Sequence, residues 1–156
     1  MISFFQNIKK YSHLISFHTP GHSKKLPKCL LKADITELFY SDNLLDPHGG
    51  IKDMEKMVAD IYQAKSSFIS TNGATNSIMT AVYCLKEKGG FLALGDNHAS
   101  VFNALRIFNC DAYHMADIKK YEDIPKQVKT VIITSPDYFG VCKDIKRYKR
   151  IIKDKF

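Results

Sequence analysis

Apolar residues recur along this chain at two spacings that alternate from one segment to the next. Met54, Met57, Val58 and Ile61 form a stripe at three- and four-residue intervals, which predicts a helix over about 51–62. The short run SSFIST then reads as a buried strand over 67–70, ending in NGATN. A second helix follows over 75–86, with Ile78, Ala81, Val82 and Leu85 on one face and Gly89-Gly90 as its stop. Beyond it the pattern predicts a strand at 91–94, a helix at 100–108, a strand at 111–114 and, in KTVIIT, the clearest strand at 129–134. Strands alternating with helices imply an α/β architecture with a mostly parallel sheet. Upstream, FHTPGHSKKLP at 17–27 has two prolines, a glycine and no periodicity, and reads as an ordered loop or arm.

Composition leaves this picture in place. The 156 residues are 45% hydrophobic, 25% charged and 12% aromatic, enough apolar content for a packed core. The net charge of +7 raises the question of an acidic partner, but the excess sits in one tail. That tail holds Lys143, Lys146, Arg147, Lys149, Arg150 and Lys153, the pattern of a solvated helix face; neither nucleic acid nor a membrane is the expected partner. Cys29, Cys84, Cys110 and Cys142 are widely separated, without metal-ligand spacing, and read as reduced thiols. With no apolar run of membrane-spanning length and no signal-like start, a cytoplasmic location is expected.

Three strand ends carry candidate chemistry. In FISTNGATNSIM a glycine between a strand and a helix precedes small polar residues. The backbone N–H groups of Ala74, Thr75 and Asn76 would face outward at the helix N-terminus, with the Thr75 hydroxyl as a further donor for a phosphate. Gly73 would permit close approach or a positive φ. An ordinary turn with a threonine cap would look the same, and no GK[ST] follows to make it a P-loop. In LGDNHAS, His98 lies between a strand and a helix, where it would either stack on a planar cofactor or cap the helix. In IITSPDYFGV, proline ends a strand and a loop begins.

These segments, with two upstream ones, share an order and spacing with a known family. FHTPGH, ADITEL followed by DNLLDPHGGI, STNGATNS, GDNHASV and TSPDYFGVCKDI together resemble the ornithine/lysine/arginine decarboxylases over residues 17–145. The resemblance implies an aspartate-aminotransferase-like fold: a three-layer α/β sandwich with a mostly parallel sheet, here an incomplete large domain. Residues 1–50 would be an N-terminal arm and loop, and 51–156 part of the major domain. It further implies pyridoxal 5'-phosphate as cofactor, with Ala74, Thr75 and Asn76 on its phosphate and His98 over its ring. A basic amino acid would be the substrate of the complete enzyme. The implied partner is a second copy or the missing C-terminal half, with His18 and His22 near a shared interface.

The family's remaining machinery is missing from these residues. No lysine stands in its Ser-x-His-Lys context, and the Asp-Glu-Ala-His stretch is absent, so the catalytic set is incomplete and the chain is expected to be inactive alone. Ala74, Asp96, Ala99 and Asp137 replace the family's usual residues, with positive charge lost around His98 and negative charge gained. That should weaken cofactor binding. A truncated or split decarboxylase is therefore expected. The alternatives are a non-catalytic protein that pairs with a full-length homologue and an unrelated phosphate-binding α/β domain.

Overall fold

The structure, a computed structural model, describes residues 4–11, 13–15, 27, 31 and 34–153. Apart from Pro27, the arm at 17–27 lies outside the described residues, and so do His18, His22 and Cys29. The chain divides into two compact units, Met1–Ile69 and Ser70–Phe156.

In the first unit, helix α1 (Phe4–Tyr11) buries Ile8 and ends at Tyr11, whose ring stacks on Tyr40 at 4.5 Å. Helix α2 (Gly50–Ile61) matches the expected span. Its buried positions, however, are Glu55 and Ala59, whereas Met54, Met57 and Ile61 of the apolar stripe are exposed. Glu55 tolerates burial because Lys52 pairs with it at 3.1 Å.

The strand expected at 67–70 does not form. Phe68 is 82% exposed, and the Ser67 hydroxyl donates to the Glu55 carbonyl of α2. A strand is stabilised by its ladder and by burial of its side chains. This segment has no ladder among the described residues and leaves Ser67 and Ile69 only half-buried, so its β-branched and aromatic content does not suffice.

The second unit contains α3 (Gly73–Leu85), β1 (Gly90–Leu94), α4 (Ala99–Ile107), β2 (Ala112–Met115), β3 (Val128–Ile133) and α5 (Ile145–Lys153). Single 3-10 turns at Lys86–Lys88 and Tyr121–Asp123 link them. The strands form one parallel sheet in the order β2-β1-β3. Central β1, GFLAL, is buried along its whole length, as an apolar run covered on both faces must be.

Alternation along the strands sorts the core into two clusters. On one face Phe91 packs with Val82 of α3 and Val101, Ala104 and Leu105 of α4. On the other, Leu92 and Leu94 pack with Ile118, Ile124, Val128 and Tyr148 of α5. Helices thus cover both faces of the sheet, giving the expected three-layer α/β arrangement. Full burial of a side chain such as Phe91 or Leu92 contributes about 1.5–3 kcal/mol.

Candidate functional site

A parallel sheet presents its ligand-binding groups where the strands end and the helices begin. Helix α3 joins β1 through a tight turn and packs against it through Val82, which sets the two antiparallel. A helix of 13 residues is about 20 Å long and a strand of five about 17 Å, so α3 begins at the level where β1 ends. Helix α4, which follows β1 directly, begins at the same side of the sheet.

The first turn of α3 is exposed from Asn72 to Asn76. The helix starts at Gly73, two residues before the expected position, and Gly73 has φ +80. That left-handed angle favours glycine, although an added Cβ would meet nothing within 4 Å. The earlier start shifts the set of outward N–H groups. Those of Gly73, Ala74 and Thr75 have no preceding carbonyl in the helix, whereas that of Asn76 lies in register with the Asn72 carbonyl. Asn76 would therefore reach a ligand through its side-chain amide. Asn72 makes no side-chain cap, which leaves the turn's donors uncovered.

His98 is the N-cap of α4. Its Nδ1 accepts the Ser100 backbone N–H at 3.2 Å and lies 2.9 Å from the Ser100 hydroxyl. This arrangement favours the tautomer with the proton on Nε2, and the ring is exposed. Capping fixes where the ring sits; Nε2 has no partner among the described residues.

Residues that the sequence reading passed over clamp the strand ends together. Asn97 donates to the Leu94 and Gly95 carbonyls at 3.3 and 3.0 Å and accepts the Thr134 hydroxyl at 2.8 Å, tying β1 to the residue after β3. His114 of β2 donates to the Gly95 carbonyl at 3.0 Å. The flanks of His98 thus do structural work, which its position in GDNHAS signals only as a polar loop.

Asp137 differs from expectation. Its carboxylate is buried, accepts the N–H groups of Phe139 and Val141 at 3.1 and 2.9 Å, and pairs with Lys143 Nζ at 3.3 Å. The Val141 N–H, followed by the Lys143 ammonium and the Phe139 N–H, holds it below the usual carboxylate range against the opposing effect of burial. The negative charge expected to repel a phosphate is therefore compensated within its own loop. Lys143 is in turn held by the Ser135 hydroxyl, which accepts its backbone N–H at 2.9 Å. A Cβ on Gly95 would lie 3.0 Å from Lys143 Cε, so the lysine side chain crosses directly over the end of β1. Asp96 stays exposed. Among the described residues no group of three His, Cys, Asp or Glu could hold a metal ion, and no helix is long and apolar enough to cross a membrane.

Residues 3–120 match the model of the Orn/Lys/Arg decarboxylase major domain. The chain belongs to the Orn/Lys/Arg decarboxylase family. Four of the five motifs that carry the resemblance begin within the matched stretch, and the TSPDYFGVCKDI segment lies beyond it. Uncharacterized protein YaaO of Bacillus subtilis (strain 168) is 28% identical over 166 residues, covering 90% of this chain and 34% of that protein. An arginine decarboxylase of Halalkalibacterium halodurans is 23% identical, covering 85% of this chain and 33% of the relative. An arginine decarboxylase of Bacillus subtilis (strain 168), also 23% identical, covers 91% and 35%. The chain thus spans about a third of the length of these relatives.

Proposed function

We propose that this chain supplies the phosphate-holding front part of a pyridoxal-phosphate-dependent decarboxylase of basic amino acids, and that its 156 residues by themselves do not decarboxylate. The observation that carries the proposal is the first turn of α3. It is exposed, opened by a left-handed glycine and rich in unpaired N–H donors, and it lies on the carboxyl side of a parallel sheet in a chain of this family.

The residues present fit the cofactor's phosphate. Backbone N–H groups of Gly73, Ala74 and Thr75, the Thr75 hydroxyl and the Asn76 amide would receive it. The helix dipole adds about 0.3–1 kcal/mol for a negative group at such a terminus. Ala74, in place of a hydroxyl residue, removes a side-chain donor and keeps its N–H. His98, held by Ser100, would lay its ring against the pyridine face and offer Nε2–H to a substrate carboxylate. When bound, the cofactor supplies the electron sink that carboxylate loss requires. The amide clamp of Asn97, with Thr134, keeps the strand ends in register beneath it.

Arginine, lysine and ornithine are the candidate substrates of the complete enzyme, and a cytoplasmic setting and an oligomer accompany this reading. Inactivity of the 156 residues follows from the absence of a lysine in the family's cofactor-holding context. Lys143, at the end of β1, does not replace it: an ammonium paired with a buried carboxylate is a poor nucleophile. The experiment is incubation of the purified chain with pyridoxal phosphate, borohydride reduction and intact-mass analysis, beside an assay of CO₂ release from the three amino acids. The expected result is no site-specific adduct and no CO₂. An adduct at one lysine, with turnover, would refute the inactivity.

A further inference from the structure

Of the asparagines in the chain, Asn72 alone is followed by glycine. The pair stands at the start of α3, with Asn72 as the N-cap and Gly73 as the first helical residue. The junction is chemically open in three respects. The Asn72 side chain makes no cap, so its amide is not tied to the helix it precedes. The Gly73 N–H has no preceding carbonyl within the helix to receive it. Gly73 has φ +80 and no Cβ, and nothing lies within 4 Å of the place where one would be. A side-chain amide carbon and the next residue's backbone nitrogen are the two atoms that close a five-membered imide, and a side chain on the second residue is what ordinarily hinders that closure.

From this we propose that Asn72 is a site of spontaneous deamidation, and that the carboxylate it leaves caps α3 through the N–H groups that stand open there now. The Gly73 nitrogen gives up its proton to solvent and bonds to Asn72 Cγ; the C–N bond of the side-chain amide breaks, and that nitrogen departs as ammonia. Water then opens the imide at either carbonyl carbon, leaving an aspartate or, with one extra methylene in the backbone, an isoaspartate. One water is consumed and one ammonia released, with no oxidant and no second protein. Closure requires rotation about Asn72 ψ, which is 20 in the structure, and therefore a brief opening of the first turn of α3. Fraying helix ends open at almost no cost. The product is an anion at an N-cap, where a carboxylate accepts the second or third N–H of the helix and is favoured by the dipole. Those are the N–H groups of Ala74 and Thr75. On the reading that this turn receives a phosphate, on which this last step rests, the modification fills the site from within and repels its ligand.

Peptide mapping of the purified chain during incubation at neutral to mildly alkaline pH, beside the same chain unfolded in urea, tests the proposal, with aspartate and isoaspartate at residue 72 read separately. Conversion of Asn72 ahead of every other asparagine is expected, at a rate that rises with hydroxide and lies within about tenfold of the unfolded chain. Asn72→Gln, whose longer side chain would have to close a six-membered ring, should stay intact. In labelled Asn72→Asp the amide of Ala74 or Thr75 should shift and gain protection, and pyridoxal phosphate should bind the turn at least about tenfold more weakly than in the parent. Survival of Asn72 while other asparagines convert, a folded rate below that tenfold limit, Ala74 and Thr75 amides unchanged in Asn72→Asp, or equal affinity of parent and variant for pyridoxal phosphate would each overturn the proposal. Conversion and capping as expected, in a chain whose parent form never binds pyridoxal phosphate, would uphold the modification and count against the phosphate reading alone.

Discussion

Asp42 organises the loop before α2, and replacing it with asparagine tests how much of that loop one carboxylate holds. Its Oδ1 accepts the N–H groups of Asn43 and His48 at 3.0 and 2.9 Å, and its Oδ2 those of Gly49 and Ile51 at 2.9 and 3.0 Å. Burial raises the carboxyl pKa, but the four N–H donors outweigh it and bring the pKa from 3.8 down to about 2. A shift of nearly two units corresponds to about 2.4 kcal/mol at 1.36 kcal/mol per unit, and partial exposure to water reduces this to about 1 kcal/mol. Because the folded pKa is the lower one, this stability is present in full above pH 4 and is lost as pH falls toward 2. Asp42→Asn removes the charge and one acceptor. It also suits the left-handed backbone at this position, where φ is 66, so backbone strain does not enter. Amide hydrogen exchange at His48, Gly49 and Ile51 reads the loop directly. About 1 kcal/mol corresponds to roughly fivefold faster exchange at these three amides in the variant. The same acceleration is expected in the unmodified chain at pH below 3, after correction for intrinsic rates. Equal exchange in variant and parent, or protection that is flat from pH 6 to below 3, would refute the reasoning.

Three other outcomes follow from the same contacts. Tyr148→Phe removes the hydroxyl that donates to Asp117 at 2.7 Å and leaves the buried ring, so the urea midpoint should fall by the equivalent of about 1 kcal/mol with an unchanged slope. Asp117 is held below the usual carboxylate range by the Tyr148 hydroxyl first and the Arg147 guanidinium second; the parent's advantage over Tyr148→Phe should therefore shrink as pH drops below 4, measured by urea titrations at several pH values. Leu92→Ala, in the fully buried central strand, should cost about 2–5 kcal/mol in the same assay.

How much of this was legible in the sequence varies with the range of the interaction. β1 and β3 could be read within a residue or two because GFLAL and KTVII are runs that only a covered sheet buries. Helices α2, α3 and α4 could be read from their periodicity. The run at 67–70 looked the same locally, but a strand depends on its neighbour, and no partner exists there among the described residues. Period alone did not say which face of α2 is covered: Glu55 is buried through its pairing with Lys52, and Met57 is not. The α3 start was misplaced by two residues because a left-handed Gly73 can open a helix as well as precede one. In the candidate site, NGATN and His98 stood out because they combine glycine, amide and ring chemistry at element ends. The clamp through Asn97, Thr134 and His114 did not, since it joins residues 37 positions apart in one case and 19 in the other. Asp42 is a similar case: its acceptors serve donors up to nine residues ahead in an irregular loop, where no periodicity marks them.

The central claim is that the first turn of α3 receives the phosphate of pyridoxal phosphate. Its most direct test is a ¹H–¹⁵N titration of the labelled chain with pyridoxal phosphate, with Gly73→Val as the comparison. Saturable shifts at the amides of Gly73, Ala74 and Thr75, with His98 following and the response lost in Gly73→Val, are predicted. Shifts confined to the basic residues of α5, or none at the α3 turn at concentrations that shift other sites, would contradict it.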